Sequence, residues 1–501
     1  MILNRLFVQG ARIVEDNLLN KGTTNEVVIA HEIEAFFASP EYKAMRDGER
    51  YYEGRHDIAH KKREMMDGSK NPDGSPRMVE LHYLPNSRVA DNQYKKMVKQ
   101  KTNYLVGKPI TVDTENEQLE EILTKDIFNR KFAKTLKRVT KRALNCGIAW
   151  IYCNYNDRGE FELKSFKTTE LVPLWKDADH TELEGMIRVY DVVLYDGKKE
   201  ETIWKVEFYT EEGIEYYEYV NGRAVKTEPY FKPYFETAEG DGRAWERIPF
   251  VPFKYNDEEI PLIVNCKSLQ DGLNTILSNF QDNMVEDMRS TIMVLLNYEG
   301  TSLSEFRRNL LSTGIIPVRS VEGATGGVQT LSIEVNAANY QLVLQLFKKA
   351  IVENCMGYDA KDEKYAGTAN QMNILSMYND IDLDAKDMET EFQDSLQDLM
   401  FFVFAHLNNA GQGDYFNEKV DFIFDTDMPM DESATIANLK NSVGILSNET
   451  IVSMHPYVKD VKAELDRIKS EQQEALDMQD VYKDAFGGSG EKGSEGDEVD
   501  G

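Results

Sequence analysis

The chain has 501 residues, a formal net charge of −29 and 41% hydrophobic residues. This length suits two to four globular units, and the hydrophobic content is sufficient for real cores. The acidic balance argues against tight non-specific DNA binding by the free chain, because such binding needs a basic surface. No run of about 18 apolar residues is present, so we expect no membrane-spanning helix and no membrane partner.

The cysteine pattern indicates buried thiols. Cys146, Cys153, Cys266 and Cys355 lie mostly in apolar surroundings, and no two of them form a Cys-x-x-Cys pair. We therefore expect a reducing, intracellular setting. Residues 1–10 contain too short an apolar stretch for a secretory signal.

After a loose arm at residues 1–25, the first part of the chain is predicted to be mainly helical. The predicted helices are Val27–Phe37, Pro40 to near Gly54, Arg88–Val106, Asn116–Phe128 and Lys131–Cys146. Ser39 suits the N-cap of the second helix, with Pro40 in its first turn. Residues 61–79 are polar, and within them residues 71–76 are predicted to be a flexible surface loop.

From Gly147 onward the pattern changes to β-strands. Strands are predicted at Ala149–Tyr155 and Phe161–Phe166, and further strands continue the same sheet through Met186–Val220. Hairpin turns are predicted at Asp196-Gly197, Glu212-Gly213 and Asn221-Gly222. These features predict an antiparallel meander packed on the N-terminal helices, which makes the fold class α+β. The prolines of Ile248–Phe253 suit an edge or exit strand.

The rest of the chain is organised around residues 261–411, which read as helix, β-rich insert, helix, polar loop and very long helix. Apolar residues recur every three or four positions in all three helices, as an amphipathic helix requires. Asn336 is placed to cap the second helix and Gly357 to end it. The third helix is predicted at Gln371–Asn409, which is 39 residues or about 58 Å. Such a length is typical of a strut in an assembly.

The remaining segments are shorter. The insert at residues 289–335 is predicted to contain three strands, a short helix beginning at Ser302 and a mobile glycine-rich tip at residues 323–327. After the long helix, a strand is predicted at Tyr415–Phe424. A helical cluster is then predicted up to residue 478, followed by a disordered acidic tail.

No motif indicates catalysis. The sequence has no Gly-x-x-x-x-Gly-Lys-Ser/Thr loop, and the glycine-rich tip lacks the lysine and the helix of a phosphate cradle. His56 and His60 are four residues apart, as zinc ligands on a helix are, but no third ligand is evident. We interpret these histidines as a solvated pair. No enzyme activity and no cofactor are expected.

Two charge patterns have alternative interpretations. Asp380, Asp382, Asp384 and Glu391 match ligand positions of an EF-hand loop. However, Ala385 stands where that loop needs glycine, and the helical pattern continues through the segment. The second pattern is a basic helix face, which either pairs with a neighbouring acidic surface or binds phosphates. Its residues are Lys131, Lys134, Lys137, Arg138, Lys141 and Arg142.

Three segments resemble motifs of a known family. Tyr51–His56 is similar to Tyr-Tyr-x-Gly-x-His, Asn103–Ile110 to Tyr-Leu-x-Gly-Lys-Pro, and Ile248–Phe253 to Ile-Pro-x-x-Pro-Phe. Together with the order of helices in residues 261–411, they make the chain resemble the portal (head–tail connector) proteins of tailed bacteriophages. The resemblance is to the subfamily from siphophages of Gram-positive hosts, and it covers about residues 30–475.

The resemblance implies a portal-like fold and a ring, usually of twelve copies, at one capsid vertex. The implied parts are an N-terminal arm (1–25), an α+β wing (26–260), two stem helices (261–288 and 336–356), a clip (289–335), a tunnel loop (357–370), a long wing helix (371–410), a crown (411–478) and a disordered acidic tail (479–501). Such a ring belongs to the virion and assembles in the host cytoplasm, where it nucleates procapsid assembly.

The resemblance also implies partners. These are double-stranded DNA passing through the ring without sequence specificity, the large subunit of the terminase motor, the major capsid and scaffolding proteins, and a head-completion (adaptor) protein. The residues expected to face DNA are Tyr358, Asp359, Lys361, Asp362, Glu363, Lys364 and Tyr365. The clip residues expected to contact the motor or adaptor are Glu305, Arg307, Arg308 and Arg319. The alternatives are a DNA-processing nuclease and a calcium-dependent structural protein built around residues 380–391.

Overall fold

A computed structural model describes most of the chain. The described residues are 25–82, 84–197, 199–236, 240–287, 292–296, 327–331, 337–359, 371–425, 432–458 and 461–486. The chain divides into two compact units, residues 1–362 with 377–427 and residues 363–376 with 428–501. The mixture of helices and strands described below confirms the predicted α+β class.

The first unit begins with helices whose ends follow from local capping. They are α1 (Asn25–Ala38), α2 (Pro40–Glu53), α3 (Gln93–Val106), α4 (Glu117–Ile122) and α5 (Arg130–Cys146). The predicted cap of α2 is confirmed, because Ser39 Oγ accepts a hydrogen bond from Tyr42 N at 3.0 Å. The predicted start of α3 at residue 88 is wrong. This helix begins five residues later, and Asn92 Oδ1 caps it by accepting from Lys95 N at 2.9 Å.

Residues 64–80 form an antiparallel hairpin, which we call the hairpin arm. Its strands are β1 (Glu64–Lys70) and β2 (Pro76–Glu80), with Met65 opposite Val79 and Met66 opposite Met78. The loop predicted at residues 71–76 is therefore largely the turn between two strands. Leu81 N donates to Arg63 O at 2.8 Å and closes the base of the arm.

The following strands make two sheets instead of the single meander that the sequence predicted. Strand β3 (Thr111–Asp113) precedes them, and the sheet strands are β4 (Ile148–Tyr155), β5 (Phe161–Lys164), β6 (Leu171–Trp175), β7 (Leu183–Asp196), β8 (Lys199–Tyr209), β9 (Ile214–Val220), β10 (Arg223–Lys232), β11 (Phe235–Glu236), β12 (Gly242–Arg243) and β13 (Phe250–Lys254). One sheet has the order β13-β4-β5 and the other β10-β9-β8-β7-β6, while β11 pairs with β12.

The sheets divide because the edge of β4 is taken by β13, which returns from much later in the chain. Val251 lies opposite Ile151 in this pairing. The predicted edge strand at Ile248–Phe253 is thus confirmed. A short 3-10 turn at Thr168–Glu170 then leads the chain out of the first sheet and into the second. The turn predicted at Asn221-Gly222 is also confirmed, with φ of 50° and 76° as a two-residue hairpin requires.

Each sheet packs on a helix. Helix α1 covers the five-stranded sheet, where Ile29 and Ile33 join Ile187, Val206 and other buried residues in one core. The three-stranded sheet belongs to a larger core that also includes the long helix of the next segment. Burial of these apolar surfaces is the main stabilising contribution to both cores.

The stretch predicted to organise the chain has the expected order of elements. It contains α6 (Ile263–Asp287), β14 (Ile292–Leu296), β15 (Gly327–Leu331), α7 (Ala337–Asn354) and α8 (Gln371–Asn409). Helices α6 and α7 pack closely at Gly272, because a Cβ there would lie 2.5 Å from the Phe347 ring. Helix α8 has 39 residues, so its predicted ends are confirmed. Strand β14 pairs with β15, and the rest of the predicted insert lies outside the described residues.

The C-terminal segments are β16 (Asp421–Ile423), α9 (Glu432–Asn441), α10 (Asn448–Ser453) and α11 (Val461–Phe486). The strand predicted at Tyr415–Phe424 is shorter than expected and pairs with β3. Helix α11 continues past residue 478, where the sequence predicted a disordered tail to begin. Among the helices described, none combines the length and the hydropathy that crossing a bilayer requires.

The buried face of α6 carries a row of polar side chains, which we call the polar ladder. Gln270, Asn274, Ser278 and Asp282 are spaced by four residues and are at most 3% exposed. They bind alternate backbone N–H groups of residues 87–93. The contacts are Ser87 N to Asp282 Oδ1 (2.6 Å), Val89 N to Ser278 Oγ (2.9 Å), Asp91 N to Asn274 Oδ1 (2.9 Å) and Gln93 N to Gln270 Oε1 (3.0 Å).

The polar ladder explains why residues 88–92 are not helical. Four residues of helix rise about 6.0 Å, and two residues of extended chain span about 6.6 Å. The side chains of α6 and the N–H groups of residues 87–93 therefore have nearly the same spacing. Each N–H group bonded to the ladder is unavailable for a helical hydrogen bond. The early start predicted for α3 fails because this tertiary contact competes with local helix propensity.

We expect Ser278→Ala to lower the free energy of unfolding by about 1–3 kcal/mol, because it removes the buried acceptor of the partly buried Val89 N–H group. Chemical denaturation measures this change. The control is Ser268→Ala on the same helix, where the serine is exposed and the change should stay within about 0.5 kcal/mol. Equal losses in the two variants would contradict a structural role for the ladder.

Candidate functional site

The predicted tunnel loop begins where α7 ends, and its first residues are fixed by close backbone contacts. Gly357 N donates to Val352 O at 2.9 Å and closes the last turn of the helix. The left-handed residue at this end is Met356, with φ of 48°, one position before the predicted Gly357. A Cβ on Gly357 would lie 2.6 Å from Met97 Sδ. A larger residue here would therefore have to displace the buried Met97 side chain.

Helix α3 holds these first loop residues, which we call the loop root (residues 356–359), through three side chains. The contacts are Lys101 Nζ to Met356 O (3.2 Å), Gln100 Nε2 to Tyr358 O (2.8 Å) and Lys96 Nζ to Asp359 Oδ1 (3.7 Å). Two of these bonds use backbone carbonyls, so they fix the path of the chain whatever side chains it carries. The loop root is thereby tied to the helix that the polar ladder positions.

Aromatic stacking fixes the loop root from a second side. The Tyr358 ring lies 4.3 Å from the ring of Tyr378 on α8, and Tyr378 lies 6.1 Å from the ring of Tyr104 on α3. Tyr358 is half-buried. A stacked aromatic pair contributes about 0.5–1.5 kcal/mol beyond its area burial. Tyr358 is thus an anchor of the loop in this arrangement.

Beneath the loop root lies a buried ion pair between α3 and α8. Lys101 Nζ is 2.6 Å from Asp384 Oδ2, and the side chains are 2% and 11% exposed. Tyr255 OH donates to Asp384 Oδ1 at 2.7 Å. Burial lowers the pKa of Lys101, although the Asp384 carboxylate opposes that effect. Burial also raises the pKa of Tyr255, so its phenol stays protonated as the hydrogen-bond donor.

Sequence reasoning missed Lys101, although a signal for it exists. Tyr94, Met97, Val98 and Leu105 are buried on one face of α3, and Lys101 continues the same spacing of three and four residues. A lysine on an apolar helix face requires a buried acidic partner, because an unpaired buried charge is costly. The partner itself could not be named from the sequence, because Asp384 is 283 positions away.

The acidic segment considered as a calcium loop is helical throughout. Residues 380–391 lie within α8, and an EF-hand loop needs a sharp turn at this point. Asp382 Oδ1 accepts from Tyr104 OH at 2.9 Å, and its Oδ2 lies 2.7 Å from Lys386 Nζ. Asp384 is bound by Lys101 as described. Asp382 and Asp384 therefore both connect α8 to α3, and Asp382 also pairs with Lys386 in the next turn of α8.

The structure describes only part of the predicted site. Tyr358 and Asp359 lie at the loop root, while Lys361, Asp362, Glu363, Lys364 and Tyr365 lie outside the described residues. The clip residues Glu305, Arg307, Arg308 and Arg319 also lie outside them. The DNA-facing and docking roles of all these residues stay predictions.

The basic helix face lies on α5. Arg142 is partly buried and donates to the carbonyl oxygens of Ser165 and Phe166 at 2.8 and 2.6 Å. The other five residues form no ion pair with another described residue of this chain. Arg142 interacts electrostatically with the acidic side chains of Glu49 and Glu170, so the predicted pairing with an acidic surface is present for Arg142 and, within the described part of one chain, absent as an ion pair for the other five.

A family model for "Phage portal protein, SPP1 Gp6-like" matches residues 39–478. The chain belongs to this family. The match includes the loop root, the polar ladder and the hairpin arm, so each of these belongs to the part of the chain shared with phage portal proteins.

Two relatives agree with the family assignment. The portal protein of Bacillus phage SPP1 is 29% identical over 448 residues, with 88% of this chain and 86% of the relative covered. The portal protein of Clostridium phage phiCD119 is 27% identical over 427 residues, with 82% and 89% covered. Both are named for Gram-positive genera, which confirms the predicted subfamily of hosts.

Solved structures are more distantly similar. A chain in the neck of a native GTA particle, computed with C12 symmetry, has a TM-score of 0.40 and 12% identity. It covers 73% of this portal-family chain and 89% of its own length. A chain in the empty particle, computed with C6 symmetry, also has a TM-score of 0.40. Similarity at this level supports no further conclusion.

The first portal motif has a structural role centred on His56. The prediction of a solvated histidine pair is wrong for this residue, which is 1% exposed, whereas His60 is exposed. Asn274 Nδ2 lies 2.8 Å from His56 Nδ1, and His56 Nε2 lies 3.2 Å from Tyr51 O. Because Asn274 Oδ1 already accepts from Asp91 N, its amide nitrogen faces the ring as a donor. Neutral His56 with its proton on Nε2 satisfies both contacts.

We expect His56 to make stability depend on pH. Burial lowers the pKa of His56 in the folded chain, against the opposing hydrogen bond to Tyr51 O. The unfolded chain, with a pKa near 6.5, then binds more protons, so the free energy of unfolding falls as pH drops below about 6.5. Each pH unit between the two pKa values is worth about 1.4 kcal/mol.

Chemical denaturation of the wild type and His56→Asn at pH 7.5 and 5.5 measures this effect. The loss of stability on acidification should be smaller in the variant, because its side chain does not titrate. Exposed His60 provides the control variant His60→Asn, which should retain the wild-type dependence. The same acid-induced loss in His56→Asn as in the wild type would exclude the buried histidine as its source.

We expect Lys101→Met to lower the free energy of unfolding by about 3–5 kcal/mol, because Asp384 is left as an unpaired buried charge. Adding Asp384→Asn should recover much of this loss, because the amide oxygen still accepts from Tyr255 without a charge. Lys99→Met, at an exposed position of the same helix, is the control. Chemical denaturation gives the stabilities. A double variant as unstable as Lys101→Met would contradict the buried-charge explanation.

Proposed function

We propose that this chain assembles into a ring at one vertex of a phage capsid and that double-stranded DNA is packaged and ejected through the ring. The family match over residues 39–478 carries this proposal. The helix order of residues 261–411 supports it, because two packed helices followed by a loop and a 39-residue helix suit a strut around a channel.

The parts are proposed on the same basis. Residues 26–260 form the wing, α6 and α7 the stem, residues 289–335 the clip and residues 357–370 the tunnel loop. Residues 411–478 form the crown. The copy number is proposed to be twelve, as is usual for such rings. Side-by-side contact in a ring joins two different faces of the same chain.

The stem helices offer an apolar flank for such contacts. Leu342 and Leu346 on α7 are 57% and 58% exposed, and Met284 on α6 is 46% exposed. Exposed apolar side chains that form one patch mark a surface for protein contact. Leu342 and Leu346 are four residues apart and therefore lie on one face of the helix.

The charge of the chain supports a conduit for DNA that does not retain it. Each copy contributes a formal charge of −29, so a ring accumulates strong negative charge. An acidic wall repels phosphates and keeps cationic contacts to DNA few. In the proposed tunnel loop, Lys361 and Lys364 attract phosphates while Asp359, Asp362 and Glu363 weaken the attraction. Contact with DNA is then reversible and independent of sequence.

The loop root gives the proposed tunnel loop a fixed origin. The backbone of residues 356–358 is held by α3, and Tyr358 packs on α8. Force on the loop from moving DNA would therefore be transmitted to the stem and the long helix. This coupling requires packed contacts with defined geometry, which the loop root has.

The docking partners are proposed from the family role. The terminase large subunit and the head-completion protein contact the clip through Glu305, Arg307, Arg308 and Arg319. Capsid and scaffolding proteins surround the ring during procapsid assembly in the host cytoplasm. The finished ring is part of the virion. No observation favours a nuclease, and the helical state of residues 380–391 weighs against a calcium-dependent structural protein.

We expect deletion of residues 359–364 to preserve folding and ring formation but to impair DNA packaging or retention. Folding should survive because the contacts of Met356 and Tyr358 remain, and the Lys96–Asp359 pair is too exposed to contribute much. Electron microscopy measures ring formation, and DNase-protected DNA in assembled particles measures packaging. Replacing residues 359–364 by six Gly and Ser residues separates loop length from side-chain chemistry. Normal packaging and genome retention by the deletion variant would reject the proposed role of the loop.

A further inference from the structure

The hairpin arm stands out because both of its faces are exposed. Every residue of β1 and four of the five in β2 are exposed. The exposed fractions include 55% for Met65, 62% for Met66, 46% for Met78 and 40% for Val79. An isolated two-stranded hairpin is at best marginally stable in water, because it has no apolar surface to pack against. We therefore expect the arm to pack on a surface that the described part of its own chain does not provide.

The two faces of the arm differ in their flanking charges. Directly opposite residues in an antiparallel pair share a face, so Met66 and Met78 lie on one face, which also carries Glu64 opposite Glu80. The other face has Met65 opposite Val79, with the ion pair between Arg77 and Asp67 beside it at 3.6 Å. Lys62 Nζ lies 3.9 Å from Glu64 Oε1, so this face keeps an excess of one negative charge. That charge makes the face of Met66 and Met78 complementary to an apolar surface bordered by a cation.

The base of the arm is attached firmly to stem helix α6. Lys61 Nζ lies 2.8 Å from Asp282 Oδ2, and Ser87 N donates to the other oxygen of the same carboxylate at 2.6 Å. Arg63 Nη1 also donates to Pro85 O at 2.9 Å. The arm thus leaves the molecule at the height of residue 282 on the stem.

On α7, an exposed apolar face begins at the level of Asp282. It also carries a lysine, which suits the acidic residues of the arm. Asn283 Nδ2 donates to Tyr340 OH at 3.1 Å, so the residue that follows Asp282 is level with Tyr340. Leu342 and Leu346 follow within two turns and are more than half exposed. Lys349 continues the same helix face, three residues beyond Leu346. Its side chain is 55% exposed and lies 3.7 Å from the exposed Glu353 carboxylate of the same helix, an exposed pair that costs little to rearrange.

From these observations we propose that the hairpin arm is a clasp that binds the α7 flank (Leu342, Leu346 and Lys349) of a second copy of this chain. The inference rests on the proposed ring. Rotation about a ring axis moves a surface sideways without changing its height along the axis, so donor and receiver must lie at equal heights. The arm root is level with Tyr340, and Leu342 and Leu346 follow within about 9 Å along α7, so the arm has to cover only this distance along the stem.

The dimensions and the chemistry agree with the clasp. Seven residues of β-strand span about 23 Å, which is enough to reach across a neighbouring helix about 10 Å wide. Met66 and Met78 pack on Leu342 and Leu346 of the next copy, and methionine adapts readily to an irregular apolar surface. Lys349 of that copy lies near Glu64 and Glu80. Every chain gives one arm and receives one, so the contact closes around a ring.

Cysteine cross-linking tests this contact directly. All four native cysteines are buried, so engineered thiols dominate the reaction with a short bismaleimide. The double variant Met66→Cys/Leu346→Cys should give a ladder of covalent oligomers up to the ring copy number. A mixture of the two single variants should give dimers only, because each chain then carries one thiol. The control is Met66→Cys/Val264→Cys, with an exposed residue at the opposite end of α6, about 27 Å from Asp282, and it should give no ladder.

A second variant tests the energetic role of the arm. Met66→Glu/Met78→Glu should reduce the ring population at least tenfold at a fixed protein concentration, because it adds two charges to an apolar contact. The thermal midpoint of the isolated chain should not change, since these side chains are exposed in one copy. Val193→Glu/Val225→Glu, at exposed strand positions of the wing, is the matched control.

The outcomes distinguish the two proposals. A wild type that forms no ring under any salt or concentration in native mass spectrometry overturns the proposed function, and the clasp with it. Rings that form normally without the Met66–Leu346 cross-link, or an equal ladder with Val264→Cys, overturn the clasp alone. The cross-link together with loss of rings in Met66→Glu/Met78→Glu supports it.

Discussion

The architecture of the first unit depends on the polar ladder of α6. Four buried polar side chains bind alternate N–H groups of residues 87–93, and thereby lay an otherwise irregular segment along the stem helix. Gln270 also accepts from Tyr94 N at 3.1 Å, so the same row fixes the first turn of α3. Each of these partly buried N–H groups would cost free energy if it had no acceptor. Hydrogen bonds therefore fix the position of α3 relative to the stem, in addition to the apolar core that both helices share.

Helix α3, which the polar ladder positions, in turn holds the loop root. Its Gln100 and Lys101 hold the backbone at residues 356–358, and Lys101 is itself fixed by Asp384 on α8. A buried ion pair is a weak source of net stability, because desolvation offsets much of the Coulomb attraction. Its geometry is nevertheless specific, since both charges lose heavily when the pair is broken. The stem, the loop root and the long helix are thus joined through one short helix.

Features that depend on a periodic pattern or on neighbouring residues could be predicted from the sequence. The ends of α8 could be predicted because its apolar stripe continues without a proline for 39 residues. The cap at Ser39 and the turn at Asn221-Gly222 needed only neighbouring residues. The two-sheet arrangement could not be predicted, because β13 pairs with β4 across about a hundred residues. The polar ladder was missed because Asn274 and Ser278 resemble a solvated helix face, and His56 was misjudged for the same reason. Within the candidate site, Gly357 could be identified as the end of α7, while Asp384 as the partner of Lys101 could not.

The two rows of the polar ladder have slightly different spacings. Its two rows advance by about 6.0 and 6.6 Å per step, so over three intervals they drift apart by nearly 2 Å. Hydrogen bonds tolerate only a few tenths of an ångström around their preferred length, and bending of the chain absorbs a limited drift. The alternating pattern stops after its fourth rung, where Gln270 accepts from two successive N–H groups and the chain turns into a helix. All four rungs keep ordinary hydrogen-bond lengths, and a single residue inserted into or deleted from this segment would put every later rung out of register.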